Sequence, residues 1–422
     1  MPGETRACLE LLNEIRYPSP LEHVMLFDPL SEEFVADPFP AYRELREQYP
    51  VCYHEPTDQW LISRYDDVKA VLTDRRIVHT YRHCATDEEM GRTPPPEWQA
   101  PLWRVVYGSL AAEPPVHDRI RRQLNPAFQA RRTDRLRARS AELADQLVDR
   151  FVRDGEGDLM AQVTEPLALT VIGEIIGIPA ADRRMVRAWA KDPIDVASPK
   201  TTDDDLARAV NSASELERYL LDLVDWRRNR PAEPDLLGSL LEAEAAGKME
   251  AVEIAHSVAM LAMGGVDSVH RSNAVSCVSL HRHPDQWELL RDDPGLLPNA
   301  VRELIRYDTS VHSFERYALE DFPLRGRNIP KGAQLAVLFV SANRDPANFD
   351  DPDRLDITRE PSANLAFGAG LHYCLAARLA EVQMAALHSA LLRKAPQWKL
   401  LSEPQWGPTF ELRGPMSLHV ST

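Results

Sequence analysis

The chain has few cysteines, too little basic charge to balance its acidic residues and no long apolar run, and each shortage argues against a class of protein. Five cysteines with no paired spacing predict a reduced protein without a disulfide framework or a zinc site. The formal net charge of −16 argues against a general nucleic-acid binder, because neutralising phosphates requires a basic surface. No stretch of about 18 consecutive apolar residues is present, so no membrane-spanning helix is predicted. The start of the chain is mixed and charged, unlike a signal peptide, and we therefore expect a cytoplasmic protein.

Helical spacing of apolar residues dominates the middle of the chain, from about 116 to 309. Within it, 249–281 is apolar on most sides, which predicts one unusually long core helix. The polar stretch Lys191–Asp205 predicts a loop. Nearer the two ends, 51–63 predicts a β-hairpin and Gln334–Val340 a buried strand. The sequence therefore predicts a mainly α fold with a small β-rich portion.

The most informative segment contains Cys374 and reads Phe-Gly-Ala-Gly-Leu-His-Tyr-Cys-Leu-Ala over 367–376. It follows a turn-rich stretch, and an apparent helix begins at Cys374, so free N–H groups and the positive end of the helix dipole would favour a thiolate there. The two glycines allow a tight turn and a close approach to a flat cofactor, and a thiolate is a ligand for haem iron. For an isolated cysteine, a small buried side chain beside a glycine turn is the alternative.

The haem-binding loop of the cytochromes P450 has a spacing similar to that of six residues in this segment: Phe367, Gly368, Gly370, His372, Cys374 and Ala376. The resemblance extends from about Asp28 to the end of the chain, with four motifs in family order. It implies the cytochrome P450 fold, a triangular helical prism around a buried haem b, in a single domain over 1–422 with an N-terminal tail over about 1–27. By the resemblance, Cys374 is the axial ligand of the iron, His372 reaches a haem propionate and Phe367 shields the sulfur.

A second motif, over 113–122, brings basic residues to the start of a helix. His117 and Arg121 are four apart and share a helix face, and the guanidinium fork suits carboxylates. Taken alone, an exposed basic helix explains the same pattern. The resemblance assigns His117 and Arg121 to the haem propionates and adds Arg316 to that set.

Gly264, Gly265, Asp267 and Ser268 interrupt the long apolar helix. A glycine inside a helix costs about 1 kcal/mol relative to alanine, so the pair serves either close approach to a cofactor or close helix packing. The resemblance places both glycines beside the haem and assigns Asp267 and Ser268, as an acid–alcohol pair, to proton delivery during oxygen activation. Serine lacks the methyl group of the threonine usual in the family, and that group fixes the rotamer. This leaves room for an oxidation other than simple hydroxylation.

Glu303 and Arg306 are three apart on an apparent helix and can form an ion pair. A solvated surface pair is the alternative. The resemblance makes them part of a folding and haem-incorporation element. It also implies a third basic residue in the following loop, for which Arg354 is our candidate.

The resemblance implies a haem-thiolate monooxygenase that uses dioxygen and two electrons to oxidise a small organic molecule in bacterial secondary metabolism. The electrons would come from NAD(P)H through a ferredoxin reductase and a ferredoxin, for which Arg119, Arg122 and Arg378 are candidate contacts. Two other functions stay open. One is an atypical P450 that catalyses coupling, dehydrogenation or ring formation, and the other is a non-catalytic haem-binding sensor or scaffold.

Aromatic side chains lie in the stretches that the resemblance places near a substrate. They would suit an aromatic or polycyclic molecule, although core packing is the usual role of such residues. The candidates are Tyr81, Trp98, Trp189, His312, Phe314, Trp406 and Phe410.

Overall fold

The structure is a computed structural model that describes residues 27–29, 31–196, 201–231, 233–409 and 411–422, apart from the side chains of 130–135 and 408. The predicted N-terminal tail therefore lies almost wholly outside the described residues. Helices make up most of the described chain, as the apolar spacing predicts.

Local sequence signals place many of the helix ends. The helix that begins at Asp203 has a capping box, in which the side chains of Thr202 and Asp205 accept each other's backbone N–H. The helix before Gly177 ends there because that residue has a φ of 86°, which favours glycine. The helices are α1 (Glu32–Ala36), α2 (Phe39–Gln48), α3 (Tyr65–Thr73), α4 (Ala100–Tyr107), α5 (Val116–Phe128), α6 (Ala130–Asp154), α7 (Glu165–Ile176), α8 (Arg183–Asp195), α9 (Asp203–Arg228), α10 (Leu236–Ala245), α11 (Ala251–Gly264), α12 (Asp267–Arg282), α13 (Pro284–Asp292), α14 (Leu297–Tyr307), α15 (Phe339–Ala342) and α16 (Ala377–Lys394).

The strands form one five-stranded sheet and three smaller ones in the described chain. The larger sheet has the order β1-β2-β8-β5-β3, in which only the β2–β8 pair is parallel. The predicted hairpin over 51–63 is its β1–β2 edge. The smaller sheets are β4-β12-β9, β6-β7 and β10-β11. The strands are β1 (Val51–His54), β2 (Gln59–Ile62), β3 (Ile77–Val78), β4 (Glu156–Asp158), β5 (Ser313–Ala318), β6 (Phe322–Leu324), β7 (Arg327–Ile329), β8 (Gln334–Leu338), β9 (Lys399–Leu400), β10 (Trp406–Pro408), β11 (Arg413–Pro415) and β12 (His419–Ser421).

The apolar side chains form one large core among the helices and smaller cores at the main sheet. The large core joins α6, α7, α9, α11, α12 and α16. A second core packs α3 against the main sheet. The segment that carries Cys374 lies between these two regions, since Phe367 packs against the first core and Ala369 against the second.

The prediction of one unusually long helix over 249–281 is wrong, because the structure has two helices, α11 and α12, separated at Gly265 and Val266. The Ser268 hydroxyl donates to the Gly264 carbonyl oxygen at 2.7 Å. A hydroxyl that bonds to the carbonyl four residues earlier bends a helix, and glycine pairs are common kink sites. The glycines noted in the sequence therefore mark the break itself.

By length and composition alone, the stretch Ala251–Arg282 could cross a membrane, although most of it is buried inside the fold. It packs against α7, α9 and α16. Core helices pass the same test of composition, so this stretch is weak evidence for a membrane span.

Two other boundaries differ from the sequence prediction. Much of the predicted loop over Lys191–Asp205 is helical, since α8 continues to Asp195 and α9 begins at Asp203; residues 197–200 lie outside the described chain. The predicted strand over Gln334–Val340 ends at Leu338, where α15 begins. The capping box of Thr202 and Asp205 is a local signal for the start of α9 that the polar composition of the stretch does not reveal.

Candidate active site

The loop before α16 is built on two glycines with positive φ, 71° at Gly368 and 69° at Gly370. The backbone N–H of Cys374 donates to the carbonyl oxygen of Phe367 at 3.0 Å, which closes the loop. A Cβ at Gly370 would lie 2.4 Å from the carbonyl oxygen of Leu72, so close backbone packing requires this glycine. A Cβ at Gly368 would meet no described atom within 4 Å, so this side of the loop faces open space.

The helix after Cys374 begins at Ala377 and not at the cysteine itself. Burial raises the pKa of the Cys374 thiol and outweighs both the backbone N–H of Ala376 and the charge of Arg121, which lower it. The N–H of Ala376 acts in the predicted direction, but in the chain alone burial has the larger effect on the pKa of the thiol. An additional positive partner is required for the charged sulfur.

Close to this loop, the cysteine loop, lies a group of basic side chains that we call the donor-rich cluster. Its members are His117 and Arg121 from α5, Arg316 from β5 and His372 from the loop itself. Arg121 donates from Nη2 to the carbonyl oxygen of Tyr373 at 2.7 Å. The rings of His117 and His372 lie edge to face, with centroids 4.8 Å apart. Arg316 is buried, and burial lowers its pKa to about 10 even though Glu113 and Glu315 act in the opposite direction.

This cluster has more hydrogen-bond donors than acceptors within the described chain. The guanidinium of Arg316 makes one hydrogen bond, to the carbonyl oxygen of Glu315 at 2.7 Å. His117 Nδ1 bonds Asp118 at 3.1 Å, while its buried Nε2 has no partner. Burial lowers the pKa of His117, and a carboxylate placed at Nε2 would favour the doubly protonated ring. The donors of Arg316 and His117 Nε2 therefore require a bound anion that can accept their hydrogen bonds.

A haem fits these features. Its propionates would supply acceptors for His117 and Arg316, and its iron would supply the positive partner that the Cys374 sulfur requires. A Cβ at Gly264 would also meet no described atom within 4 Å, as at Gly368. The structure thus has open space both at the break between α11 and α12 and at the cysteine loop.

The two glycines at the helix break have different surroundings, which separates the two explanations that the sequence leaves open. A Cβ at Gly265 would lie 2.7 Å from Ile172 on α7, so this glycine permits close helix packing. The backbone at Gly264 instead borders open space, as close approach to a cofactor requires.

The structure does not bring the side chains of Asp267 and Ser268 together. Asp267 is buried and bonds Nη1 and Nη2 of Arg187, each at 2.9 Å, with His270 Nε2 at 3.3 Å. Burial would raise the pKa of Asp267, but the His270 hydrogen bond and the charges of Arg187 and Arg271 lower it to about 2. The sequence offers no signal for Arg187, which lies eighty residues before its partner.

The predicted third member of the Glu303–Arg306 element is wrong. Glu303 accepts from Arg306 Nε at 2.7 Å and Nη2 at 2.8 Å, and both residues are buried. The further basic partner is Arg359, whose Nε lies 3.1 Å from Glu303 Oε1. Arg354 contributes only its carbonyl oxygen, and its side chain is exposed. Both arginines lie in the same loop, so sequence position alone does not separate them.

The aromatic residues predicted near a substrate fall into packed and exposed sets. Phe314 and Trp98 are 44% and 49% exposed, and Phe314 lies 5.4 Å from the ring of His79. Phe410 lies outside the described residues. The packed set contacts other rings or charged side chains and comprises Tyr81, Trp189, His312 and Trp406.

Of the basic residues predicted to meet a ferredoxin, Arg122 and Arg378 are exposed. The third, Arg119, forms a double hydrogen bond with Glu253 on α11 and a further one with the carbonyl oxygen of Lys248. Its charge is therefore largely neutralised within the chain, which makes it a poor surface contact.

Known proteins resemble this chain over almost its whole length. The family model described as Cytochrome P450 matches residues 192–405. The cytochrome P450 monooxygenase PikC of Streptomyces venezuelae is 34% identical over 402 residues, which cover 93% of this chain and 92% of PikC. The mycinamicin IV hydroxylase/epoxidase of Micromonospora griseorubida is 36% identical over 392 residues, which cover 90% of this chain and 94% of that enzyme.

A similar solved structure is that of P450BioI in complex with hexadec-9Z-enoic acid ligated acyl carrier protein. Its TM-score is 0.85 at 28% identity, and the match covers 93% of this chain and 100% of that one. The family and fold predicted from the cysteine loop and its accompanying motifs are confirmed. The chain therefore belongs to the cytochrome P450 family, has the cytochrome P450 fold and is an oxidoreductase of the monooxygenase class.

Proposed function

We propose that Cys374 is the axial thiolate of a haem b and that His117, Arg121, Arg316 and His372 hold its propionates. The observation that carries this assignment is the excess of donors beside the cysteine loop, with His117 Nε2 buried and unbonded within the described chain. Around them, the backbone of Gly264 and Gly368 and the side chains of Phe367 and Ala376 would border the macrocycle, whereas Gly265 is occupied by helix packing against Ile172.

When bound, the haem supplies the oxidation chemistry with dioxygen and two electrons. The protein supplies position and protons. Ser268 now donates to the Gly264 carbonyl oxygen, so it delivers a proton only after its hydroxyl turns away from that acceptor. Asp267 is an ionised acceptor while Arg187 holds it, so it joins proton delivery only when that pair opens.

We propose a small organic molecule of secondary metabolism as the substrate, with an aromatic or polycyclic skeleton. The support is similarity to enzymes named for such reactions, including a mycinamicin IV hydroxylase/epoxidase and an epothilone C/D epoxidase. Phe314 supports an apolar or aromatic contact, because its ring is exposed beside the donor-rich cluster.

The electrons would come from NAD(P)H through a ferredoxin reductase and a ferredoxin, in the cytoplasm. The supporting surface is at the cysteine loop, where Leu371 and Tyr373 are exposed apolar residues and Arg122 and Arg378 are exposed basic ones. An acidic ferredoxin would be attracted to the basic pair, so we expect slower reduction as salt rises above about 0.1 M. Reduction rates that do not change with salt would contradict this docking face.

The thiolate is tested by the carbon monoxide difference spectrum of the reduced, haem-loaded protein. We expect a strongly red-shifted Soret band, lost in Cys374→Ala and kept in the control Cys84→Ala, because Cys84 is exposed. A histidine-type spectrum in the well-folded wild type would overturn the assignment of Cys374.

The reaction class is tested by supplying labelled dioxygen and analysing products by mass spectrometry. Oxygen insertion places the label in the product. Substrate-dependent turnover that yields an unlabelled product would identify coupling, dehydrogenation or ring formation instead.

A further inference from the structure

Glu113 is a buried carboxylate inside the donor-rich cluster, immediately before the two prolines that lead into α5. Its Oε1 accepts the backbone N–H of His79 at 2.7 Å and also bonds His372 Nε2 at 3.1 Å. One oxygen therefore joins three segments that are distant in the sequence: the stretch after β3, the start of α5 and the cysteine loop.

These bonds fix the orientation of His372. A carboxylate oxygen only accepts hydrogen bonds, so the proton of this bond lies on Nε2 of the imidazole. The ring is then packed between His117, with centroids 4.8 Å apart, and His79, at 5.3 Å. Loss of the Glu113 acceptor would release both the imidazole and the backbone at His79.

Glu113 also sets the charge of the cluster. It acts electrostatically on the buried guanidinium of Arg316 and raises the pKa of that group against burial. Arg121 and Arg316 are permanent cations, so a third carboxylate beside two propionates makes this edge of the site more negative. Negative charge near an iron centre favours the oxidised state, because that state carries the greater positive charge.

We propose that Glu113 is a positioning residue for the haem: its carboxylate fixes His372 and the His79 segment at the propionate edge, and its charge keeps the reduction potential low. This inference rests on the proposed haem site. It assigns a role to an acidic residue among the cationic groups expected to face the propionates.

The test compares Glu113→Gln and Glu113→Ala with Glu97→Gln, which removes an exposed carboxylate from the same region of the chain. The measurements are the reduction potential of the loaded protein and the rate of haem transfer to a haem-scavenging globin. Glutamine keeps an oxygen acceptor but not the charge, so we expect a higher potential with little change in haem transfer. Alanine removes both, and we expect haem transfer about tenfold faster because His372 Nε2 and the backbone N–H of His79 both lose their acceptor.

A Glu113→Gln potential equal to that of Glu97→Gln would overturn the role of the charge. Haem transfer from Glu113→Ala at the wild-type rate would overturn the positioning role. If that variant does not fold, the reduction potential of Glu113→Gln still decides the role of the charge. Failure of the haem assignment has a separate signature, because the wild type would then lack the thiolate spectrum before any Glu113 variant is examined.

Discussion

Two buried charged clusters in this molecule differ in how completely their polar groups are satisfied. Around Glu303, the carboxylate accepts from Arg306, Arg359 and the backbone N–H of Asp356. The remaining donors of Arg306 reach carbonyl oxygens in the same loop and in the turn that follows α15. Every charge in this cluster has a partner from the chain itself.

The cluster near Cys374 has the opposite balance. Arg316 is also buried but makes one hydrogen bond within the described chain, and His117 Nε2 makes none. Burying polar groups without partners costs free energy, so this cluster destabilises the fold when no ligand is bound. The comparison indicates that the Glu303 cluster maintains the fold, whereas the cluster near Cys374 is arranged for a ligand.

Glu303→Ala should have the largest effect on folding. It leaves Arg306 buried without its partner, and removing one member of a buried pair costs about 3–5 kcal/mol. The measurement is the free energy of unfolding in urea, with and without haem. A loss of similar size in both states would support a structural role. A loss seen only with haem would contradict the conclusion that the Glu303 cluster maintains the fold without a ligand.

Asp267→Asn should show a pH-dependent loss. The pKa of Asp267 is lowered from an ordinary 3.8 to about 2, so the ionised carboxylate stabilises the fold above about pH 4. At about 1.36 kcal/mol per pKa unit, the wild type should exceed the variant by roughly 2.5 kcal/mol at neutral pH.

This difference should shrink as pH falls through 4 towards 2, because protonation of Asp267 removes the same charge that the variant lacks. Urea unfolding of both proteins between pH 3 and pH 7 measures it. A difference that stays constant with pH would show that Arg187 does not stabilise the ionised form.

Arg316→Ala should separate ligand binding from folding. In the protein without haem we expect a change in stability below about 1 kcal/mol, because one hydrogen bond is lost along with a costly buried charge. Haem affinity should fall about tenfold or more, since hydrogen bonds between charged groups contribute roughly 1.5–3 kcal/mol. Equal losses of unfolding free energy with and without haem would show that Arg316 stabilises the fold, as the Glu303 cluster does.

Arg354→Ala should have the smallest effect, and it serves as the matched control for Arg359→Ala. The Arg354 side chain is exposed, so we expect a change within about 0.5 kcal/mol. Arg359→Ala removes a donor to the buried Glu303 and should cost more in urea unfolding. The reverse order would restore Arg354 as the third member of the element.

The sequence predicts the cysteine loop well, because the loop depends on residues close together in the chain, and it singles out the residues at the helix break without predicting the break itself. Gly368 and Gly370 have the positive φ values that suit glycine, and Gly264, Gly265 and Ser268 mark the interruption of the apolar helix. The predicted single long helix was wrong because periodicity does not register a short break between two apolar helices.

Contacts between distant segments could not be predicted from spacing. Arg187 meets Asp267, Glu113 meets His372, and Arg119 is neutralised by Glu253. The charge of each residue is visible in the sequence, but its partner depends on how two elements pack and where each side chain points.

By itself, the sequence determined the mainly helical fold, the glycine-built loop at Cys374 and the set of basic residues available to a haem, because backbone preferences and residue chemistry are local properties. Only the tertiary structure decided which charges are balanced within the chain and which still require a ligand. That balance depends on burial and on distances of about 3 Å between side chains, and packing sets both.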